Sequence, residues 1–178
     1  FDQVYHEHLC YYSLTAQQHL FGRHGLFVQD AEHLPIHGGS LRLFVGHQDR
    51  PYDNVKRLLQ EEETLGMHSL DYYSRFRSRV KELRSSLLDL LGSLKDGGSR
   101  IAAYGASAKG TTLLSCLGIG AETLDYVADR STAKQGFFTP GTHLPIHPPE
   151  KLLEDRSDYT LLLTWNFAEE ILAQQAEY

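Results

Sequence analysis

The chain has 178 residues, of which 41% are hydrophobic and 22% charged, with a formal net charge of −6. That is enough for one large domain or two small ones of ordinary globular composition, and the acidic balance excludes a diffuse basic surface for nucleic acid polymers. The longest apolar runs, Ser86–Leu91 and Thr160–Trp165, are too short to cross a bilayer, and two distant cysteines, Cys10 and Cys116, exclude a disulfide framework or a four-thiolate zinc site.

The first twelve residues are aromatic and histidine-rich, and Tyr5-His6-Glu7-His8 puts four ionisable groups in a row. Read as extended chain, Tyr5 and Glu7 face one way and His6 and His8 the other. Histidine can act as a base near neutral pH, tyrosine can relay a proton, and a carboxylate can fix an imidazole tautomer. The set suits removal of a proton next to a carbonyl. Two other readings stand beside it: a zinc site from His6 and His8 with His33, His37 or His47, and a histidine-rich surface loop.

Ser13 is a good N-cap for a helix over residues 14–23, which His24-Gly25 stops. Residues 26–33 and 41–47 read as strands, separated by Pro35 and by Gly38-Gly39. A helix and two strands in that order suggest the closing edge of an α/β sheet. A helix follows over 54–66, and the longest helix over 69–94. Its apolar positions, Tyr73, Phe76, Val80, Leu83, Leu87, Leu90 and Leu94, alternate steps of three and four. The stripe fits either self-association through a coiled coil or packing on its own domain. Barely three heptads favour the second.

After Asp96-Gly-Gly-Ser99 the pattern changes. Strands are expected over 100–104, 124–128, 143–146 and 159–165, and helices over 109–117, 150–154 and 167–176. Alternating strands and helices imply a parallel βαβ sheet, in which the apolar run Thr160–Thr164 reads as a doubly covered central strand.

The strand-to-helix loop Gly105-Ala-Ser-Ala-Lys-Gly110 has small residues, the hydroxyl of Ser107 and the charge of Lys109 at a helix N-terminus, a setting for an anionic, phosphate-containing ligand. It is not a Walker A loop, because its lysine precedes the glycine. It approaches G-x-G-x-x-G, but Ser107 replaces the glycine that lets backbone reach a pyrophosphate, and Asp129 stands roughly where a ribose-binding acid belongs, so a dinucleotide fingerprint is half met. Arg130 and Lys134, at the next strand end, add two basic side chains near the same sheet edge.

Several ordered stretches carry a family likeness. They are Phe1-Asp-Gln-Val-Tyr-His-Glu-His8, Tyr12-Ser-Leu-Thr15, Leu34-Pro-Ile-His-Gly-Gly-Ser-Leu-Arg42, Ala103-Tyr-Gly-Ala-Ser-Ala-Lys-Gly110, Asp129-Arg-Ser131, Lys134-Gln-Gly136, Pro140-Gly-Thr-His-Leu-Pro-Ile-His-Pro-Pro149 and Leu162–Asn166. Together they resemble the sugar C-methyltransferases that use S-adenosylmethionine, and the likeness covers essentially the whole chain.

The resemblance implies a fold, a division and a reaction. The fold is α/β: a Rossmann-like parallel-sheet C-terminal domain preceded by a long helix and by the αββ tail of a truncated methyltransferase domain. Residues 1–50 are the expected tail of that domain, and residues 51–178 the C-terminal substrate-binding domain. Family members carry a zinc-binding N-terminal domain and a cofactor loop that have no counterpart here. With no methionine before Phe1 and an apparent helix running to Tyr178, the chain is expected to be a piece of a longer protein that does not turn over alone.

The implied reaction transfers a methyl group from S-adenosylmethionine to C3 of a nucleotide-linked 4-keto-deoxysugar through a base-generated enolate. Tyr5 and His8 are the implied acid/base residues, with Glu7 orienting or polarising, and His8 or His37 is a candidate to stabilise the enolate oxygen. The local chemistry of the glycine loop assigns Gly105, Ser107, Lys109, Gly110, Arg130 and Lys134 to substrate binding. A cytoplasmic enzyme with a nucleotide-diphosphate sugar as partner, and neither membrane nor nucleic acid polymer, is the expectation. The alternative is a non-catalytic Rossmann-like module that binds a nucleotide such as NAD.

Overall fold

The structure is a computed structural model describing all residues, Phe1–Tyr178. It divides into two compact units. One is Leu9–Arg79, and the other joins Phe1–His8 to Val80–Tyr178. No helix is long and apolar enough to cross a membrane.

The Leu9–Arg79 unit holds α1 (Leu14–Gly22), the antiparallel hairpin of β1 (Phe27–Leu34) and β2 (Ser40–Gly46), α2 (Asp53–Leu65) and the start of α3 (Leu70–Asp96). This is the expected αββ order. Its core is Leu14, Val28, Ala31, Val55 and Leu58. A helix start leaves its first N–H groups without helical partners, and at α1 those of Leu14, Thr15 and Ala16 each find a side-chain acceptor. Ser13 Oγ accepts from Ala16 N at 3.1 Å, and the Ser13 carbonyl accepts from Gln17 N at 3.1 Å. The Glu62 carboxylate of α2 takes the N–H of Leu14 at 2.6 Å and of Thr15 at 2.8 Å, with the Thr15 hydroxyl at 2.6 Å. Glu62→Ala is therefore expected to destabilise this unit by about 2 kcal/mol, since hydrogen bonds to a charged acceptor are the strong ones. Urea denaturation followed by circular dichroism measures it.

In the other unit β3 (Ile101–Tyr104), α4 (Ala108–Leu117), β4 (Val127–Ala128), β5 (Ile146–His147), α5 (Glu150–Asp155), β6 (Tyr159–Leu162) and α6 (Ala168–Gln174) build a four-stranded parallel sheet of order β5-β4-β3-β6. This is the expected Rossmann-like C-terminal domain. The pleat sends Ile101 and Ala103 of β3 to one face, among Leu91, Leu114, Leu117, Val127 and Leu163. Ala102 and Tyr104 go to the other, among Tyr126, Ala128 and Leu152.

Two expectations are corrected here. The central, fully buried strand is β3, whereas β6, expected to be central, is an edge strand paired with β3 alone and half-exposed. An apolar run reports that a strand is covered, not how many strands flank it. The strand expected over 143–146 begins only at Ile146, because His143 sits at φ 52° in a turn whose Leu144 N–H is bonded to Thr139 Oγ1 at 2.9 Å. The stripe of α3 also divides. Leu87 and Leu94, with Leu88 and Leu91, pack on the core, while Tyr73, Phe76, Leu83 and Leu90 stay exposed.

Candidate functional site

The glycine loop leaves β3 at Tyr104 and enters α4 at Ala108. Gly105 takes φ 97°, and a Cβ there would lie 2.6 Å from both Oγ1 and Cγ2 of Thr164. Only glycine fits both the backbone and the space. Ser107 is the N-cap, its Oγ accepting from Gly110 N at 3.1 Å. A Cβ on Gly110 would lie 2.9 Å from Leu163 Cβ and 3.1 Å from the Gly105 carbonyl oxygen, so this glycine lets the helix close onto the strand end. Alanine ordinarily favours a helix over glycine by about 1 kcal/mol. Gly110→Ala is expected to reverse that sign and lower stability by about 1–3 kcal/mol through overpacking, read from the thermal midpoint.

Asp129 follows β4 and is 8% exposed. Its Oδ2 accepts from Ala106 N and its Oδ1 from Ser131 N, each at 2.7 Å. Lys134 Nζ donates to the Ala106 carbonyl at 2.8 Å and lies 3.4 Å from Asp129 Oδ2. The two side chains clasp the loop by the N–H and C=O of one residue. Asp129 thus braces the loop. Arg130 goes elsewhere, donating to Gln174 Oε1 at 2.7 Å with Glu170 at 3.9 Å, so the two expected bases are not brought together. Lys109 is buried in the first turn of α4.

Phe1–His8 belongs to this same unit. It is not extended, as the sequence suggested. His8 N donates to the Tyr5 carbonyl at 2.9 Å, closing a turn that puts the two rings at 4.2 Å with 35° between their planes. His8 Nδ1 lies 2.8 Å from the Gln3 carbonyl oxygen. A carbonyl can only accept, so Nδ1 carries the proton and Nε2 is the basic nitrogen of the neutral ring. Glu7 is 3.9 Å from His6 Nε2, both side chains lying in solvent.

A cavity of about 440 Å³ opens beside the loop. It is lined by Tyr5 and His6, by Ala106, Ser107 and Ala108, by Thr111 and Thr112 of α4, and by Lys134, Phe137 and Phe138. Glu7, His8 and Arg130 are not in its lining. The exposed Phe137-Phe138 pair is not among the residues expected from the sequence, where two adjacent aromatics after Gly136 in a polar loop were the available signal. Aromatic walls, hydroxyls and one ammonium suit a flat ring carrying a polar or anionic group. Tyr104 ends β3 nearby, and burial raises its phenol, with Arg130 opposing, so it is not a proton acceptor near neutral pH. His37 lies in the Leu9–Arg79 unit, in a one-turn helix over Ile36–Gly38 at φ 54°. No three His, Cys, Asp or Glu side chains converge as a metal site.

Residues 35–178 match the family described as C-methyltransferase C-terminal domain. The C-methyltransferase NovU of Streptomyces niveus is 36% identical over 183 aligned residues, covering all of this chain and 43% of that protein. The chain therefore spans less than half the length of the curated relative it matches.

Proposed function

The chain belongs to the C-methyltransferase family, and from that premise we propose that it is part of an enzyme that moves a methyl group from S-adenosylmethionine to C3 of a nucleotide-linked 4-keto-deoxysugar. The observation that carries the reading is the Tyr5–His8 pair, two proton-handling rings in contact at 4.2 Å, in a turn whose Tyr5 also lines the cavity beside the glycine loop.

With Nδ1 tied to the Gln3 carbonyl, His8 presents Nε2 as the base that takes the C3 proton. The electron pair left on C3 delocalises onto the 4-keto oxygen, and the Tyr5 hydroxyl is the donor that meets that oxygen. Glu7, exposed beside His6, serves to orient. In the cavity, Phe137 and Phe138 face the base, while Ser107 and Lys134 hold the diphosphate side. Gly105, Lys109 and Gly110 act from behind the cavity: the two glycines seat the turn against Thr164 and Leu163, and Lys109 adds positive charge in the first turn of α4. Arg130 is paired through one guanidinium nitrogen with Gln174 and keeps further donors for a ligand.

S-adenosylmethionine supplies the electrophilic methyl group. The glycine turn of this chain offers a helix N-terminus, Ser107 and Lys134, a set suited to an anion and not to a cationic sulfonium. No step is assigned to the turn beyond holding substrate.

Two measurements test the reading. Calorimetry of this chain should show binding of thymidine diphosphate and a thymidine-diphosphate sugar and none of NAD; the reverse order favours a nucleotide-binding module instead. With the chain joined to a complete methyltransferase domain, Tyr5→Phe and His8→Asn should each slow methyl transfer by about 10²–10⁴-fold. Undiminished transfer in both removes the assignment.

A further inference from the structure

Phe1–His8 comes before the Leu9–Arg79 unit in the chain, yet it packs with the unit that begins at Val80. Something must hold it there. Phe1 lies on the core cluster that contains Leu91 and Leu163. Asp2 is buried, 6% exposed, and its Oδ2 accepts from Trp165 Nε1 at 2.8 Å across 163 positions of sequence. A buried carboxylate without a donor is costly, so this bond fixes where the segment sits.

From Asp2 the restraint passes onward through short-range bonds. Val4 N donates to the Phe1 carbonyl at 2.9 Å, Tyr5 N to the Gln3 carbonyl at 3.1 Å, and His8 N to the Tyr5 carbonyl at 2.9 Å. The Gln3 carbonyl, next to Asp2, also takes the His8 ring at 2.8 Å. Trp165 begins the one-turn helix Trp165–Phe167 after β6, and its neighbour Thr164 is the residue against which Gly105 is pressed. One short loop therefore sets both walls of the cavity: the glycine turn through Thr164, and the Tyr5 turn through Trp165.

We propose that Trp165, acting through the Asp2 carboxylate, is a positioning residue for the Tyr5–His8 pair. The inference rests on the functional reading above for its link to rate, but not for its link to geometry. An indole N–H suits the task, because it is a neutral, directional donor on a rigid ring and brings no positive charge near the base. Misplacement of a catalytic group by about 1 Å costs on the order of 10²-fold in rate.

The test uses two readouts. Trp165→Phe keeps the ring and removes the donor, Asp2→Leu removes the acceptor, and Asp2→Asn keeps an acceptor oxygen. Proton NMR of the His8 ring reports the Tyr5 ring current. Trp165→Phe and Asp2→Leu should both abolish that shift, and Asp2→Asn should retain it, while amide signals of Ile101–Tyr104 show that the sheet is intact. In the protein with its complete methyltransferase domain, the first two variants should lower kcat by about 10–100-fold with little change in KM, and Asp2→Asn by about twofold or less. An unchanged His8 shift in Trp165→Phe overturns the proposal, as does a lost shift with kcat retained. If Tyr5→Phe and His8→Asn are themselves fully active, the functional reading fails, and the NMR result still decides whether Trp165 places the pair.

Discussion

Gly105→Ala is expected to destabilise the Rossmann-like unit by about 3 kcal/mol or more, a large share of the stability of a small domain. Two penalties combine. A side chain at φ 97° is strained whatever the space, and the new methyl would sit 2.6 Å from two atoms of Thr164, closer than atoms tolerate. They can be separated. Thr164→Ala removes Oγ1 and Cγ2 and leaves Cβ, which is 3.2 Å from where the Gly105 methyl would sit. The double variant Gly105→Ala/Thr164→Ala should recover the steric part and keep the backbone part. Thr164 Oγ1 is itself buried without a hydrogen-bond partner, so its removal alone costs little beyond packing. Urea denaturation of the four proteins gives the coupling energy. A double variant no more stable than Gly105→Ala would show that backbone strain alone sets the cost.

Asp129→Ala is expected to cost about 2–4 kcal/mol, because it leaves the half-buried N–H groups of Ala106 and Ser131 without their acceptor and takes a carboxylate from beside Lys134. Asp129→Asn should cost less, since it keeps one acceptor and turns an amide donor toward the other N–H. Lys134→Met should cost only about 1 kcal/mol. Its side chain is 43% exposed, and Ala106, whose carbonyl it leaves, is half-exposed. Ligand affinity should run the other way: Lys134→Met weakens thymidine diphosphate binding more than its effect on stability suggests, because Lys134 lines the cavity and Asp129 does not. Thermal melts paired with calorimetry separate the two orders. Equal losses of stability in Asp129→Ala and Lys134→Met would contradict the clasp.

Much of this site was legible in the chain. Ser13 read as an N-cap because capping is decided within four residues, and it does cap; Ser107, read as a hydroxyl for a ligand, caps α4. Gly105 and Gly110 read as a strand-to-helix turn because only glycine tolerates that backbone and closeness. Tyr5 and His8 stood out by residue type. Their contact did not, because an assumed extended backbone put them on opposite sides, whereas a single hydrogen bond closes a turn and puts them together. Arg130 and Lys134 looked alike in sequence, four positions apart. Their different fates depend on which partner each side chain meets, Gln174 for one and Ala106 for the other.

The sequence by itself determined the alternation of strands and helices, the glycine turn, the Ser13 cap and the family likeness. Each of these is fixed by local geometry or by residue order. Tertiary structure alone decided that β3 and not β6 is central, that Glu62 completes the cap of α1, that Asp129 braces the turn, and that Trp165 holds Asp2. Those pairings join residues 23 to 163 positions apart or depend on strand order. A local pattern can require that a buried carboxylate find a donor, but only the folded chain selects which one.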